Sequence, residues 1–347
     1  ETPFARIAAE SFGTQHKEFF VTPDIENILP KLVGHYDEPF ADSSAVPTLY
    51  LCEKTRQEVT VALSGDGGDE MFAGYDRYRA VQLGQSVNRL PLFVRKTLAN
   101  LRHFIPASAK QRNPFRRTKR FLEALSMEPL EQYLQWIAIF NRERRKKLYT
   151  AGFAEKLDGC DSLNFLKVLN DNVPDFVKRI TLIDQQTYLP CDLMTKVDIA
   201  SMAYGLEVRA PLLDYRIAEF AAKLPMFYKL SPAACGRFRG KLILREAFKD
   251  LLPPDIENRR KMGFGVPLDH WFRGPLKNYV KEILLDRQTV QRGMFRQEYV
   301  EQLLTEHFGN RFDHAYRIWA LLILELWFRR WQEPALLAPG LNREGGN

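Results

Sequence analysis

The segment Ser64–Glu70 places three glycines and three carboxylates in seven consecutive positions. Glycines let a backbone turn tightly and approach a bound molecule closely. The apolar run Val59–Leu63 comes directly before it and predicts a buried strand of a parallel sheet, and we expect a helix to follow. Ligands of open α/β sheets bind beyond the carboxyl ends of the strands, so this segment is a candidate ligand site. An ordinary acidic turn between a strand and a helix is the alternative interpretation.

A lysine far along the chain has an unusual predicted position. In the segment Gly236–Arg245, the apolar spacing from Leu244 to Leu251 predicts a helix with Lys241 in its first turn. The helix macrodipole disfavours a cation there, so an anion bound at the helix start would explain the lysine. An exposed lysine that tolerates the dipole is the alternative.

The surrounding pattern predicts the elements that carry these residues. Helices are expected at Thr2–Phe12, from Ile25 after a capping Asp24, and at Pro47–Arg56, with a strand at His16–Val21. Helices alone are expected from Arg77 to Thr187. This order predicts a predominantly helical α/β fold.

Composition argues against several classes of protein. The 347 residues are 45% hydrophobic, and the four cysteines show no C-x-x-C pattern, so a reduced, cytoplasmic protein without a zinc site is expected. The net charge of +7 includes the basic clusters Arg112–Arg120 and Arg142–Lys147, but no nucleic-acid-binding motif accompanies them. The most apolar run, Ile318–Phe328, is too short to span a bilayer. Neither nucleic acid nor membrane is therefore expected as a partner.

Three segments together carry a resemblance to a known family. Ser64–Tyr75, SGDGGDEMFAGY, resembles the second nucleotide motif of the glutamine-dependent asparagine synthetases, a branch of the PP-loop ATP pyrophosphatases. Leu206–Asp214 resembles the family segment E-x-R-x-P-x-x-D, and Gly236–Arg245 contains the pattern G-K-x-x-L-R. The resemblance implies an α/β fold with a partial parallel-sheet ATP pyrophosphatase core of the HUP type, similar to the adenine nucleotide alpha hydrolases, and a large helical subdomain.

The reaction that the resemblance implies is an ATP-dependent amidation. The side-chain carboxylate of aspartate attacks the α-phosphate of ATP, which gives a β-aspartyl-adenylate and pyrophosphate. Ammonia derived from glutamine then forms asparagine and releases AMP. Aspartate, ATP and glutamine are the implied substrates, and Mg²⁺ is the implied metal, since carboxylates approach phosphates when magnesium lies between them.

The resemblance implies that four residues bind the nucleotide and its metal. Ser64 and Gly65 match positions that contact the nucleotide, and Asp69 matches a Mg²⁺ ligand. Lys241 matches a lysine that binds the phosphates and acts in catalysis by neutralising charge on the departing pyrophosphate.

Three further residues match catalytic positions of the family. Asp66 matches a carboxylate linked to formation of the intermediate and to deprotonation of the incoming ammonium. Tyr75 and Glu207 resemble the pair that β-lactam-forming relatives use as a base, and we expect a supporting role for them here. Glu207 and Arg209 lie two apart on an extended segment, so a partly buried ion pair on one face is also expected.

Two family features are absent from the sequence. The primary phosphate loop, Ser-Gly-Gly-x-Asp-Ser, has no match, and the chain does not begin with the catalytic cysteine of the family's glutaminase. We therefore expect residues 1–347 to be the carboxy-terminal synthetase domain of a longer enzyme, inactive by itself. Within it, we predict a partial nucleotide-binding part at 1–76, a helical subdomain at 77–187 and a helical remainder at 188–347 that completes the site.

Other functions stay open at this point. A relative could amidate a different carboxylate in polysaccharide or secondary metabolism, or close a β-lactam. The chain could also be an inactive scaffold that binds a partner subunit. A homodimer is a further open alternative.

Overall fold

Helices make up most of the structure. A computed structural model describes residues 2–22, 24–105, 114–169, 171–232, 239–257 and 265–332. Its α-helices are α1 (Thr2–Ser11), α2 (Ile25–His35), α3 (Ala45–Arg56), α4 (Gly68–Met71), α5 (Asp76–Asn88), α6 (Leu92–Asn100), α7 (Pro114–Ala124), α8 (Pro129–Ile137), α9 (Arg142–Leu148), α10 (Ala151–Lys156), α11 (Ser162–Val168), α12 (Phe176–Gln186), α13 (Thr195–Met202), α14 (Tyr215–Lys223), α15 (Leu242–Ala247), α16 (Pro254–Glu257), α17 (Leu268–Arg273), α18 (Lys277–Leu285), α19 (Arg287–Gln291), α20 (Gln297–Phe308) and α21 (Ala315–Trp327). Short 3₁₀ turns span Leu101–Phe104, Pro211–Leu213 and Met226–Tyr228, and π-helical turns span Leu189–Met194 and Phe328–Gln332.

The two described strands form a small parallel sheet. Strand β1 (Val61–Leu63) pairs with β2 (Glu207–Arg209), so that Val61 lies opposite Glu207. The predominantly helical α/β fold with a small parallel sheet is thereby confirmed. The predicted burial of β1 is wrong, because Leu63 is 73% exposed and Val61 is 39% exposed. With two strands in the described part of the chain, the sheet lacks the covering layers that bury a central parallel strand.

The predicted strand at His16–Val21 is also wrong. This segment has no regular secondary structure, and Phe20 at its end is 88% exposed. A strand needs a neighbouring strand for its backbone hydrogen bonds. Both described strands pair only with each other, so apolar, aromatic composition alone does not make this segment a strand.

Several helix boundaries follow from local chemistry, and the predicted cap at Asp24 is one of them. The side chain of Asp24 accepts a hydrogen bond from the backbone N–H of Asn27 and caps α2. Pro190 lies in the first turn of the π-helical segment that leads into α13, where its missing N–H costs nothing. Gly205 follows α13 with a φ of 65°, a left-handed conformation that glycine adopts without strain.

The chain divides into two compact units, each built from three segments. The first unit comprises Glu1–Pro23, Pro47–Arg89 and Lys167–Gly265, and it contains the sheet. Its apolar cluster joins α4, the π-helical turn before α13, α14 and α15. The buried members of this cluster are Met71, Phe72, Leu189 and Ala221. The cluster therefore holds the chain after Ser64–Glu70 against the start of α15.

The second unit comprises Asp24–Val46, Leu90–Leu166 and Val266–Asn347. Its core lies among α17, α18, α20 and α21, where Phe272 and Trp319 are fully buried with ring centroids 6.4 Å apart. The predicted part boundaries at 76/77 and 187/188 stay a prediction. Gly236, in the lysine-bearing segment, lies outside the described residues. None of the described helices has the length and apolar character needed to cross a membrane.

Candidate active site

The glycine- and acid-rich loop begins where β1 ends. The backbone N–H of Ser64 donates to the carbonyl of Arg209 at 2.8 Å, which extends the pairing of the two strands into the loop. The Oγ atom of Ser64 is buried and has no hydrogen-bond partner among the described residues. Buried polar atoms are nearly always hydrogen-bonded, so an orphaned hydroxyl is a place where a ligand could bind. Asp66 lies half-buried two residues later.

Gly67 gives the loop its turn. Its φ is 83°, and a Cβ at this position would lie 2.1 Å from Cδ2 of Leu213. Both the left-handed backbone and the close neighbour require glycine here. The short helix α4 starts directly after this turn and carries Asp69 and Glu70.

The structure brings Lys241 and Asp69 together. Nζ of Lys241 lies 3.0 Å from Oδ1 of Asp69, and the two side chains are 32% and 21% exposed. The sequence predicted Lys241 in the first turn of its helix, and this prediction is wrong. Lys241 is the residue before α15, with a φ of 57°, and its backbone N–H donates to the carbonyl of Phe72 at 2.9 Å. Packing against residues 72–74, and not the helix dipole, therefore sets where its side chain points.

Two glycines make this contact sterically feasible. A Cβ on Gly74 would lie 1.8 Å from Oδ1 of Asp69 and 2.5 Å from Cε of Lys241. A Cβ on Gly240 would lie 2.3 Å from the carbonyl oxygen of Ala73. All three contacts are too short for any real Cβ atom. Glycine at positions 74 and 240 therefore lets the two backbone segments that carry Asp69 and Lys241 come close to each other.

Glu70 and Tyr75 form a buried pair beside this contact. Glu70 is 1% exposed, and the hydroxyl of Tyr75 donates a hydrogen bond to its carboxylate. Burial raises the pKa of Glu70, while the Tyr75 hydrogen bond acts in the opposite direction. Burial and the nearby Glu70 carboxylate raise the pKa of Tyr75. The phenol is therefore a hydrogen-bond donor and a weak acid in this environment.

The Tyr75 ring packs on an arginine that is itself held by a buried acid. The guanidinium of Arg77 lies 4.0 Å from the centroid of the Tyr75 ring and 4.4 Å from that of Tyr188. Its Nε and Nη2 donate to Oδ2 of Asp184 at 3.0 and 2.8 Å. The Tyr78 hydroxyl donates to the same oxygen at 2.7 Å. This stack fixes the orientation of Tyr75 from α5 and α12.

Glu207 has a different partner from the one that the resemblance implied. Nε of Arg209 donates to Oε1 of Glu207 at 2.8 Å, so the predicted ion pair on β2 is present. The side chains are 64% exposed at Arg209 and 55% at Glu207. The expected partial burial is therefore wrong, since the small sheet leaves this face open. Tyr75 donates to Glu70 instead.

The donor set is compatible with a magnesium ion bound mainly by phosphate. Among the described residues, no three His, Cys, Asp or Glu side chains are grouped as metal ligands. Mg²⁺ in nucleotide sites commonly takes only one or two carboxylates and completes its shell with phosphate oxygens and water. Asp69, at the start of α4 and beside Lys241, offers one such carboxylate.

Comparison with known proteins adds to this geometry. The family model described as asparagine synthase matches residues 1–329. The chain belongs to the asparagine synthase family. This asparagine synthase family member carries the Ser64–Glu70 loop, α4 and Lys241 inside the matched range.

Its curated relatives are about twice as long. Glutamine-hydrolyzing asparagine synthetase 1 of Bacillus subtilis (strain 168) is 29% identical over 328 residues, which cover 94% of this chain and 49% of the relative. A putative glutamine-hydrolyzing asparagine synthetase of Mycobacterium tuberculosis is 30% identical over 330 residues, covering 94% of this chain and 48% of the relative. Amidase chry2 of Gibberella zeae is 24% identical over 304 residues, which cover 82% of this chain and 44% of the relative.

Sequence reasoning missed part of the site of this asparagine synthase family member. Glu70, Arg77, Asp184 and Tyr188 were not singled out, although they surround Tyr75 in the structure. Glu70 lies inside the motif and could have been found as the one carboxylate next to Met71 and Phe72, which are buried. No local signal marks Asp184, because its partner is far away in the chain.

Proposed function

We propose that this chain supplies the synthetase site for the ATP-dependent conversion of aspartate to asparagine. The proposed reaction proceeds through a β-aspartyl-adenylate, releases AMP and pyrophosphate, and uses ammonia derived from glutamine. The observation that carries the proposal is the 3.0 Å contact between Lys241 and Asp69, directly after a glycine turn. Family membership and the names of the relatives support it.

The nucleotide would bind over the loop that follows β1. Ser64 would use its buried hydroxyl, which has no partner among the described residues, and Gly65 would let the backbone come close to the nucleotide. A Cβ at Gly65 meets nothing within 4 Å, so there is open space at this position. The Nζ of Lys241 would stabilise negative charge on the departing pyrophosphate, an effect that is large where water is excluded.

The carboxylates would divide the remaining work. Asp66 would assist formation of the intermediate and accept a proton from the incoming ammonium. Asp69 would hold Mg²⁺ together with the phosphates of ATP. The metal, when bound, would reduce the charge repulsion between the phosphates and the two carboxylates. Tyr75 and Glu207 would have supporting roles, Tyr75 by fixing Glu70 and Glu207 by pairing with Arg209 along β2.

A second candidate is amidation of a different carboxylate. The observation that supports this second candidate is the similarity to the protein named amidase chry2, at 24% identity. The chemistry of adenylation would be the same, because any carboxylate must gain a good leaving group before ammonia can displace it. Only the pocket for the acceptor would differ.

The proposal is tested by following pyrophosphate release from ATP. Because residues 1–347 are expected to be inactive by themselves, the assay uses a full-length protein that contains them. It is incubated with Mg-ATP and ammonium chloride, so that glutamine hydrolysis is not needed, and aspartate is added or omitted. We expect aspartate to stimulate release and Lys241→Ala to abolish the stimulation. Lys249→Ala is the matched control, because Lys249 is an exposed lysine near the end of α15 that pairs with Glu246.

Isothermal titration with Mg-ATP separates the remaining alternatives. Binding without aspartate-stimulated release, but with release stimulated by another carboxylate, would favour the second candidate. Absence of any heat would contradict both and leave a scaffold role. A cytoplasmic location and a homodimer stay predictions.

A further inference from the structure

The second unit contains a cavity that the proposed function does not use. Its volume is about 400 Å³, within the range of small-molecule sites. The walls come from α7, the end of α8, the start of α9 and the turn that leads into α21. All of these segments belong to the same compact unit.

The cavity is rich in cationic side chains. The four basic residues that line it come from three different segments; they are Lys119, Arg120, Arg144 and Arg317. The described lining also includes two carboxylates, those of Glu123 and Asp313. Asp313 is 5% exposed, and its carboxylate accepts a hydrogen bond from the backbone N–H of Ala315 at 2.9 Å. This carboxylate therefore already has a hydrogen-bond donor at the start of α21. The balance of charge in the cavity therefore favours an anion.

A neutral histidine holds one of these cations in place. Nη1 of Arg317 donates to Nδ1 of His314 at 2.7 Å, and Nε2 of His314 lies 2.6 Å from a carboxylate oxygen of Glu306. This arrangement requires a proton on Nε2 and none on Nδ1. His314 is 4% exposed, and burial lowers its pKa, which agrees with the neutral form. The imidazole therefore orients the guanidinium of Arg317 without cancelling its charge.

The same cavity has apolar and aromatic walls. Four of its large apolar lining residues are among the exposed hydrophobic residues of the chain; they are Ile137, Ile139, Phe312 and Tyr316. Trp136 also lines it and stacks on Phe121, with ring centroids 5.6 Å apart. The indole N–H of Trp136 is buried and has no hydrogen-bond partner among the described residues. A ligand with an apolar ring and an acceptor atom would cover these walls and satisfy that donor.

We propose that this cavity binds a small organic anion that carries a planar aromatic or heteroaromatic ring. The anion would lie against Arg144 and Arg317, and the ring would lie between Trp136 and Phe312. A mononucleotide has this combination of a ring and a phosphate, and its size suits the volume of the cavity. This binding site is additional to the proposed nucleotide site at Lys241, and it does not depend on the proposed reaction.

The test is calorimetric titration of the full chain carrying Lys241→Ala, so that the proposed nucleotide site contributes little. AMP is compared with adenosine, which lacks the anion, and with inorganic phosphate, which lacks the ring. We expect AMP to bind roughly tenfold or more tightly than either. Adenosine lacks the charge-assisted hydrogen bonds of the anion, and inorganic phosphate lacks the ring that would be buried against the aromatic walls. Absence of heat from AMP, or equal binding of phosphate and AMP, would overturn the proposal.

Variants of the lining residues localise the binding. In the same background, Arg144→Ala should weaken AMP binding by roughly tenfold or more, and Trp136→Phe, which keeps a ring but loses the N–H, by about threefold or more. Arg142→Ala is the matched control, because Arg142 is exposed on the same helix and does not line the cavity. Unchanged affinity in both lining variants would place the AMP elsewhere and refute the site.

Photolabelling gives a readout that does not depend on substitution of the residues that line the cavity. The full chain with Lys241→Ala is irradiated with 8-azido-AMP, and the modified peptide is identified by mass spectrometry. Modification within residues 119–144 or 312–317 supports the proposal. Modification confined to other segments contradicts it.

Discussion

The carboxylate of Asp69 occupies the space that a side chain at Gly74 would need. The distance from Oδ1 of Asp69 to an added Cβ would be 1.8 Å, well inside van der Waals contact. The φ of Gly74 is not positive, so alanine would be compatible with its backbone. The glycine is therefore required for the position of Asp69 and not for backbone geometry.

Substitution of Gly74 should displace the ion pair between Asp69 and Lys241. Gly74→Ala is expected to reduce aspartate-stimulated pyrophosphate release at least about 100-fold, because small displacements of catalytic groups have effects of this order. The measurement is the release assay with Mg-ATP and ammonium chloride. Gly34→Ala, in α2 with nothing within 4 Å of the added Cβ, is the control and should retain activity. An active Gly74→Ala protein would show that the contact is dispensable.

The buried ion pair between Arg77 and Asp184 should contribute strongly to stability. Asp184 is 1% exposed, and Asp184→Asn removes the charge that Arg77 and the Tyr78 hydroxyl contact. We expect a loss of about 3 kcal/mol in the free energy of unfolding, because the guanidinium keeps its charge without this partner. Urea denaturation measures the change.

The exposed pair between Glu207 and Arg209 provides the comparison. Both side chains are more than half exposed, so Glu207→Gln should change the free energy of unfolding by less than about 1 kcal/mol. If Asp184→Asn and Glu207→Gln lowered the free energy of unfolding equally, the buried pair would not contribute more to stability than the exposed pair, and the prediction would be wrong.

Lys229 should make stability rise with pH in the alkaline range. It is 1% exposed, and burial, with a smaller contribution from Lys178, lowers its pKa to about 8 from 10.5. The folded state then loses this proton at lower pH than the unfolded state does. The charge therefore destabilises the fold below pH 8, and the penalty is relieved as pH rises from about 8 to 10.5.

Replacement of Lys229 by an uncharged side chain should remove this dependence. Lys229→Met is expected to raise the free energy of unfolding by about 3 kcal/mol at neutral pH and to flatten the rise above pH 8. Urea titrations at several pH values between neutral and alkaline measure both effects. A variant less stable than the parent at neutral pH would indicate that the buried ammonium makes favourable contacts.

Glu70 should make stability fall as pH rises through the acidic to neutral range, the opposite of the dependence expected for Lys229. Its pKa in the folded protein is raised above the ordinary value of 4.5 by burial. Between 4.5 and the raised value, the folded state binds more protons than the unfolded state, so stability falls as pH rises. Glu70→Gln, which cannot ionise, should lessen that fall in urea titrations from acidic to neutral pH.

Tyr75→Phe tests the pKa of the Glu70 carboxyl by removing the hydroxyl that donates a hydrogen bond to it. The Tyr75 hydroxyl lowers the pKa of Glu70, so its removal should raise that pKa and make the fall in stability with pH steeper. Val81→Ala on α5 is a control for packing loss, because Val81 is buried and does not titrate. A pH profile unchanged from the parent in Tyr75→Phe would mean that the hydrogen bond to Glu70 does not set its protonation.

The part of the fold that could be predicted rests on local interactions. The cap at Asp24, the left-handed residue at Gly205 and the turn at Gly67 each depend on neighbouring backbone and on the residue's own conformational range. The segment His16–Val21 shows the limit of such reasoning. Its composition is typical of a strand, but a strand forms only where a partner strand supplies hydrogen bonds.

The sequence by itself determined which chemical groups are available, namely the acids and glycines of Ser64–Glu70 and the lysine at 241. It also determined the family, since each of the motifs is an unbroken run of residues that can be recognised without the fold. Only the tertiary structure decided which groups meet. Lys241 contacts Asp69, and Tyr75 donates to Glu70 and not to Glu207. The contact between Lys241 and Asp69 depends on how distant segments pack. Tyr75 and Glu70 are close in the chain, but only the folded structure shows that Glu70 is buried beside Tyr75 while Glu207 stays exposed.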